Sequence, residues 1–141
     1  MLAAKKTVAQ WCVRIAYALV FCINVSCALQ FACCPENYAA AYELSGVAGC
    51  TAIQGIGIAF LMWNCTYPLV IWKPTRFMSL AWVVLVQQTV GLAGESVLLW
   101  GLPAGHALLK ASVMRFIAFD ASGFFLMVSA VLFLVTTVRK A

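Results

Sequence analysis

The residues of this chain that could do chemistry are few, and they lie where charge is least welcome. Arg115 and Asp120 stand inside Val113–Val128, a stretch built otherwise of apolar side chains. A charged group at bilayer depth costs between about 2.5 and about 17 kcal/mol depending on how it is measured, so such groups usually face a bundle interior and find a partner. Three further apolar stretches offer companions: Asn24 and Gln30 in the first, Gln54 and Asn64 in the second, Gln87, Gln88 and Glu95 in the third. The sole histidine is His106, and no CxxC pair or Cys/His metal spacing occurs, which argues against a zinc or haem site.

The elements that must position these groups follow from composition. Of 141 residues, 65% are hydrophobic and 9% charged, with mean hydropathy +1.01. Soluble domains are about a quarter charged. A chain with so little polar surface is built for lipid, as one integral membrane domain. Its net charge of +5 is therefore no nucleic-acid footprint, because the basic residues cluster at segment ends, where they set orientation.

Four apolar segments are expected as helices: 11–33, 51–72, 77–100 and 107–138. Pro35 stops the first, since proline cannot continue the backbone ladder. A signal peptide cut near Ser26-Cys27-Ala28 is the competing reading; Arg14 and the continuation of the apolar run disfavour it. Arg14 is expected to snorkel to the phosphates. Tyr38 and Tyr42, four apart in the first loop, suggest a short interfacial helix. Gly55 and Gly57 permit close approach of a neighbouring helix, and Pro68 should bend the second span. The last span is ~45 Å long at 1.5 Å per residue, more than a ~30 Å core, so it tilts or projects.

Lys5, Lys6, Lys73, Arg76, Arg139 and Lys140 fall on one side of this four-span arrangement, with Lys110 alone on the other. The positive-inside tendency makes both termini cytoplasmic.

Depth then sorts the polar groups. Glu95 and Arg115 lie ~8 and ~12 Å below the outer ends of their helices, so an ion pair between them is expected, with Gln30 and Gln54 in the same layer. Asp120, Gln88, Asn64 and Asn24 form a second layer near the midplane. Gln88, Gly91 and Glu95 share one helical face. Arg115 and Asp120, five apart, are ~140° apart around their helix and should not satisfy each other. Such polar contacts often do no more than hold a bundle together, at ~0.6 kcal/mol each on average. Asp120 is the stronger candidate for function, because a midplane carboxyl without an obvious cation can carry or donate a proton.

Cys33, Cys34 and Cys50 flank the first loop, where a disulfide is feasible if that side is oxidising. Cys12, Cys22, Cys27 and Cys65 read as small apolar side chains. His106 reads as an interfacial side chain, and Trp11, Trp72 and Trp100 at span ends read as an aromatic belt.

Four spans, inward termini, Pro35-Glu36 after the first helix, the Gly46, Gly49, Gly55 and Gly57 series and Asp120 in the last helix together resemble the layout of DoxX-like four-helix integral membrane proteins. The resemblance implies an antiparallel all-α transmembrane bundle, and members of that group are linked to quinone or thiol redox chemistry. It transfers no catalytic set. The expected protein is a ligand-binding or accessory module of a multi-pass membrane, with a bacterial cell membrane as the specific expectation. Glu95, Arg115, Asp120, Gln88, Asn64 and Gln54 would hold a lipidic or quinone-like molecule. Two alternatives stand beside it: a quinone- and thiol-linked oxidoreductase using Cys33, Cys34 or Cys50, and a proton-coupled small-molecule transporter dimerised around Asp120. Expected partners are the bilayer, a small apolar ligand, a membrane protein or a second copy, and no nucleic acid.

Overall fold

Every regular element in the computed structural model, which describes residues 2–139, is helical. The order is α1 (Leu2–Cys33), α2 (Glu36–Ala39), a 3-10 turn (Ala40–Tyr42), α3 (Gly46–Asn64), α4 (Tyr67–Trp72), α5 (Met78–Gly101) and α6 (Ala107–Arg139). α1, α3 with α4, α5 and α6 are each long and apolar enough to cross a membrane. The protein is thus a helical, multi-pass membrane protein by length and composition. Lys140, used above for orientation, lies outside the described residues.

The element ends differ from the sequence expectation in instructive places. α1 begins at Leu2 rather than Trp11, because the basic lead-in of Ala and Lys is itself good helix former. The second span starts at Gly46 rather than Thr51. Its start is set by a tight reversal: Glu43 takes a left-handed conformation (φ 57°), and the Leu44 N–H donates back to the Ala39 carbonyl at 2.9 Å. A Cβ at Gly49 would lie 2.9 Å from Leu44 Cβ, so glycine is what lets the loop fold onto the helix. The short helix expected around Tyr38 and Tyr42 is present as α2 and the 3-10 turn.

Pro68 does more than bend the second span. It sits in the first turn of α4, where its missing N–H is harmless, and it cannot donate to the Asn64 carbonyl. The helix therefore breaks at Cys65 and Thr66. In an apolar surround the backbone groups near a break must be satisfied locally, and three consecutive side chains turn back to do so. Asn64 Nδ2 donates to the Phe60 carbonyl at 2.8 Å, Cys65 Sγ to Leu61 at 3.4 Å and Thr66 Oγ1 to Trp63 at 3.5 Å.

α1 is the hub. It packs against α3, α4 and α6, while α5 packs against α6 and α4. One core joins Val13, Tyr17 and Val20 of α1 to Tyr67 and Val70 of α4, Val84 of α5 and Met127, Val131 and Leu134 of α6. The buried Tyr17 hydroxyl donates to the Ala81 carbonyl at 2.8 Å, tying α1 to α5. A second cluster of Phe31, Ala39 and Ile53, with Tyr38, Tyr42 and Phe116 around it, closes the other end. Gly57 is where α1 and α3 touch: a Cβ there would lie 2.7 Å from the Ala28 carbonyl oxygen and the Ala32 nitrogen, whereas one at Gly55 would meet nothing within 4 Å. α3 and α5 do not pack closely on each other. Large apolar side chains such as Ile15, Leu19, Val86, Val90, Leu98 and Phe125 are exposed around the outside, a surface suited to acyl chains and a liability in water.

Candidate functional site

The gap between α3 and α5 is where the polar groups meet. A cavity of about 60 Å³ opens there, lined by Asn24 of α1, Phe60, Trp63 and Asn64 of α3, Gln88, Gly91 and Glu95 of α5, and Phe116 and Asp120 of α6. All four spans contribute, and each supplies at least one polar side chain.

Asp120 is held in place. Gln88, 4% exposed, donates from Nε2 to Asp120 Oδ1 at 2.8 Å. The Tyr67 hydroxyl stands 3.5 Å from Gln88 Oε1, so a chain of side chains runs from α4 through α5 to α6. The other carboxyl oxygen lies against Gly91, where a Cβ would come within 2.9 Å of Asp120 Oδ2. Any larger residue at 91 would therefore push the carboxyl aside. Gln88, Gly91 and Glu95 share a face as their spacing requires, and that face is the cavity wall.

Two acceptors in the wall have no donor. Asn64 is 4% exposed; its Nδ2 is used at the helix break, and its Oδ1 is buried without a partner. Glu95 Oε2 is likewise buried and unpartnered. Buried polar atoms are rarely left so, and both of these belong to one cavity.

The structure brings together Glu95, Asp120, Gln88 and Asn64 of the expected residues, and leaves out Arg115 and Gln54. The expected Glu95–Arg115 ion pair does not form. Arg115 is exposed and donates to Ser112 Oγ at 3.1 Å. It lines a neighbouring groove with Ile23, Cys27 and Phe119, which shares Asn24 and Phe116 with the cavity. By reaching three residues back along α6 it snorkels towards the helix end. Gln54 Nε2 donates to the Ala32 carbonyl at 3.1 Å, and Gln30 bonds Ser26 and Tyr38. The outer polar layer is therefore a set of local ties between α1, α2 and α3.

Sequence reasoning missed other contacts. Phe60, Trp63 and Phe116 line the cavity without any polar mark to flag them. Among the described residues the one contact between a carboxylate and a basic side chain is His106 Nδ1 with Glu43 Oε2, at 2.5 Å. Glu43 Oε1 also accepts the Leu109 N–H at 3.2 Å, at the start of α6, where a carboxylate suits the helix dipole. The His106 contact, and then the Leu109 N–H, hold the Glu43 carboxyl below its ordinary pKa of 4.5. Arg14 does not simply reach for phosphates; it donates from Nη2 to the Trp72 carbonyl at 3.0 Å, at the end of α4. All seven cysteines are free thiols.

No family model, curated protein or solved structure matches this chain, so the reading of the site rests on its own geometry.

Proposed function

We propose that this protein binds the polar end of a small amphiphilic molecule in the cavity between α3, α5 and α6, as a ligand-binding or accessory module of a membrane. The observation that carries the reading is the pair of unpartnered buried acceptors, Glu95 Oε2 and Asn64 Oδ1, both on residues that line one cavity with a positioned carboxyl at Asp120. A bundle held together by structural polar contacts would satisfy those atoms within itself. At about 60 Å³ the cavity is well below the about 300–1,000 Å³ of a site that encloses a drug-sized ligand, so it takes a head and leaves the body outside.

The same two carboxyls favour a second reading, proton-coupled transport of that molecule. No observation favours the thiol oxidoreductase: none of the seven cysteines lines the cavity. Orientation with both termini in the cytoplasm is supported by Lys5, Lys6, Lys73, Arg76 and Arg139 at one end of the bundle. The proposal keeps the DoxX-like layout and a bacterial cell membrane as its setting.

Native mass spectrometry of the protein released from mild detergent tests the binding reading. A retained small molecule that is lost from Asp120→Asn and Glu95→Gln is expected. A bare chain from native membranes, with no added mass under any release condition, contradicts it.

A further inference from the structure

The polar cavity has a neighbour. Trp63 lines both it and a groove of about 460 Å³ on the outer side of α3 and α5, formed with Trp82, Val83, Val86, Gln87 and Val90. Gln87 contributes one buried, unpartnered oxygen, Oε1, and the rest of the wall is apolar. The groove exists because α3 and α5 do not pack closely on each other.

We infer that the ligand is a primary amine carried on an apolar body, with its ammonium group in the cavity between Glu95 and Asp120 and its body in the Trp63–Val90 groove. This rests on reading the cavity as a ligand site, and it deepens that reading by fixing the ligand's chemistry.

Charge argues for it first. Two carboxyls line the cavity and no basic residue does; Arg115 faces the other groove. Hydrogen-bond bookkeeping agrees. Gln88 and Asn64 each already donate an amide N–H, to Asp120 and Phe60, whereas Glu95 Oε2 and the nine-tenths-buried Asn64 Oδ1 await donors. An ammonium brings three N–H donors and no acceptor. A quinone brings only acceptors, and none of them can satisfy the unpartnered Asn64 Oδ1. Size is consistent, since an ammonium is among the few heads small enough for the space. The Trp63 ring, at the junction of cavity and groove, supplies a face of the kind that attracts cations.

The test uses the full chain in phosphatidylcholine nanodiscs, with empty nanodiscs as the blank. Three probes are compared by intrinsic tryptophan fluorescence and by melting temperature: dodecylamine, dodecyltrimethylammonium and dodecanol. Dodecylamine should bind saturably and raise the melting temperature, with the other two weaker. Glu95→Gln and Asp120→Asn should each weaken amine binding by about ten-fold or more, as expected for loss of a charge-assisted contact. Val86→Trp should weaken it too by filling the groove, and because Val86 is 61% exposed the fold does not depend on it. That variant carries the test if the carboxyl variants fail to fold.

Dodecanol or dodecyltrimethylammonium binding as tightly as the amine, yet still sensitive to Val86→Trp, would overturn the amine inference and leave the cavity as a ligand site. Saturable binding of none of the probes, or binding that every variant leaves unchanged, would overturn both.

Discussion

Gln88 donates its amide hydrogen to the Asp120 carboxyl across the α5–α6 interface, 2.8 Å away, and this contact sets the direction in which the carboxyl faces the cavity. Gln88→Ala should cost about 1–3 kcal/mol, because it leaves part of the Asp120 carboxyl without its donor. In a double-mutant cycle with Asp120→Ala the coupling should be about 0.5–2 kcal/mol. Denaturation in mixed micelles measures it, and additive losses would show that the two side chains act independently.

Two glycine pairs separate packing from site geometry. Gly57→Ala places a methyl group 2.7 Å from α1 backbone atoms, and such overpacking typically costs about 1–3 kcal/mol. Gly55→Ala, with nothing within 4 Å, should be neutral or stabilising by up to about 1 kcal/mol. A melting experiment on both variants decides whether α1 and α3 touch where described.

Gly91→Ala should behave differently from either. The methyl group would meet Asp120 Oδ2, 2.9 Å away, the far end of a side chain that can swing aside. Melting should change little while amine binding falls by about ten-fold, equivalent to about 1.4 kcal/mol. Gly94→Ala, one turn away and facing open space, is the matched control that should bind normally.

The contacts of Glu43 with His106 and the Leu109 N–H predict a loss of stability on the acid side. Glu43 has its folded pKa held below the ordinary 4.5, so its contribution to stability is fully present above about 4.5 and is lost as pH falls through the lower folded value. Glu43→Gln should abolish that acid-side loss, and His106→Ala should reduce it. Hydrogen exchange at residues 43–45 and 106–109, followed between neutral and acid pH, reads the change directly. Exchange in the native protein that does not respond to acid would contradict it.

The spans were legible because each is a long, mostly apolar run with few charges in it, and Pro35 and Pro68 act on the backbone alone. Helix starts were less so: the entry to α3 depends on how Leu44 folds over Gly49, which no local propensity reports. For the site, Asp120, Glu95, Gln88 and Asn64 stood out as polar groups in apolar helices, and depth counted along each helix placed them near one another. Arg115 shows the limit of depth. It matched Glu95 in height, but Asp120 occupies the inward face of α6, and the ~140° between positions 115 and 120 turns Arg115 away from the cavity that Glu95 shares. Glu43 and His106 are 63 positions apart, and only the fold of the first loop brings them together.

The hub role of α1 has a consequence for biosynthesis. α1 leaves the ribosome before the other three spans and shares its core with α6, the last of the four, so it must wait while α3, α4 and α5 are made before that neighbour arrives. Contacts so distant in sequence form late, and until they do, Val13, Tyr17 and Val20 are open to lipid or to the insertion machinery. A chain stalled before residue 107 is therefore expected to be recognised and degraded, however well the three spans that precede α6 here have been inserted.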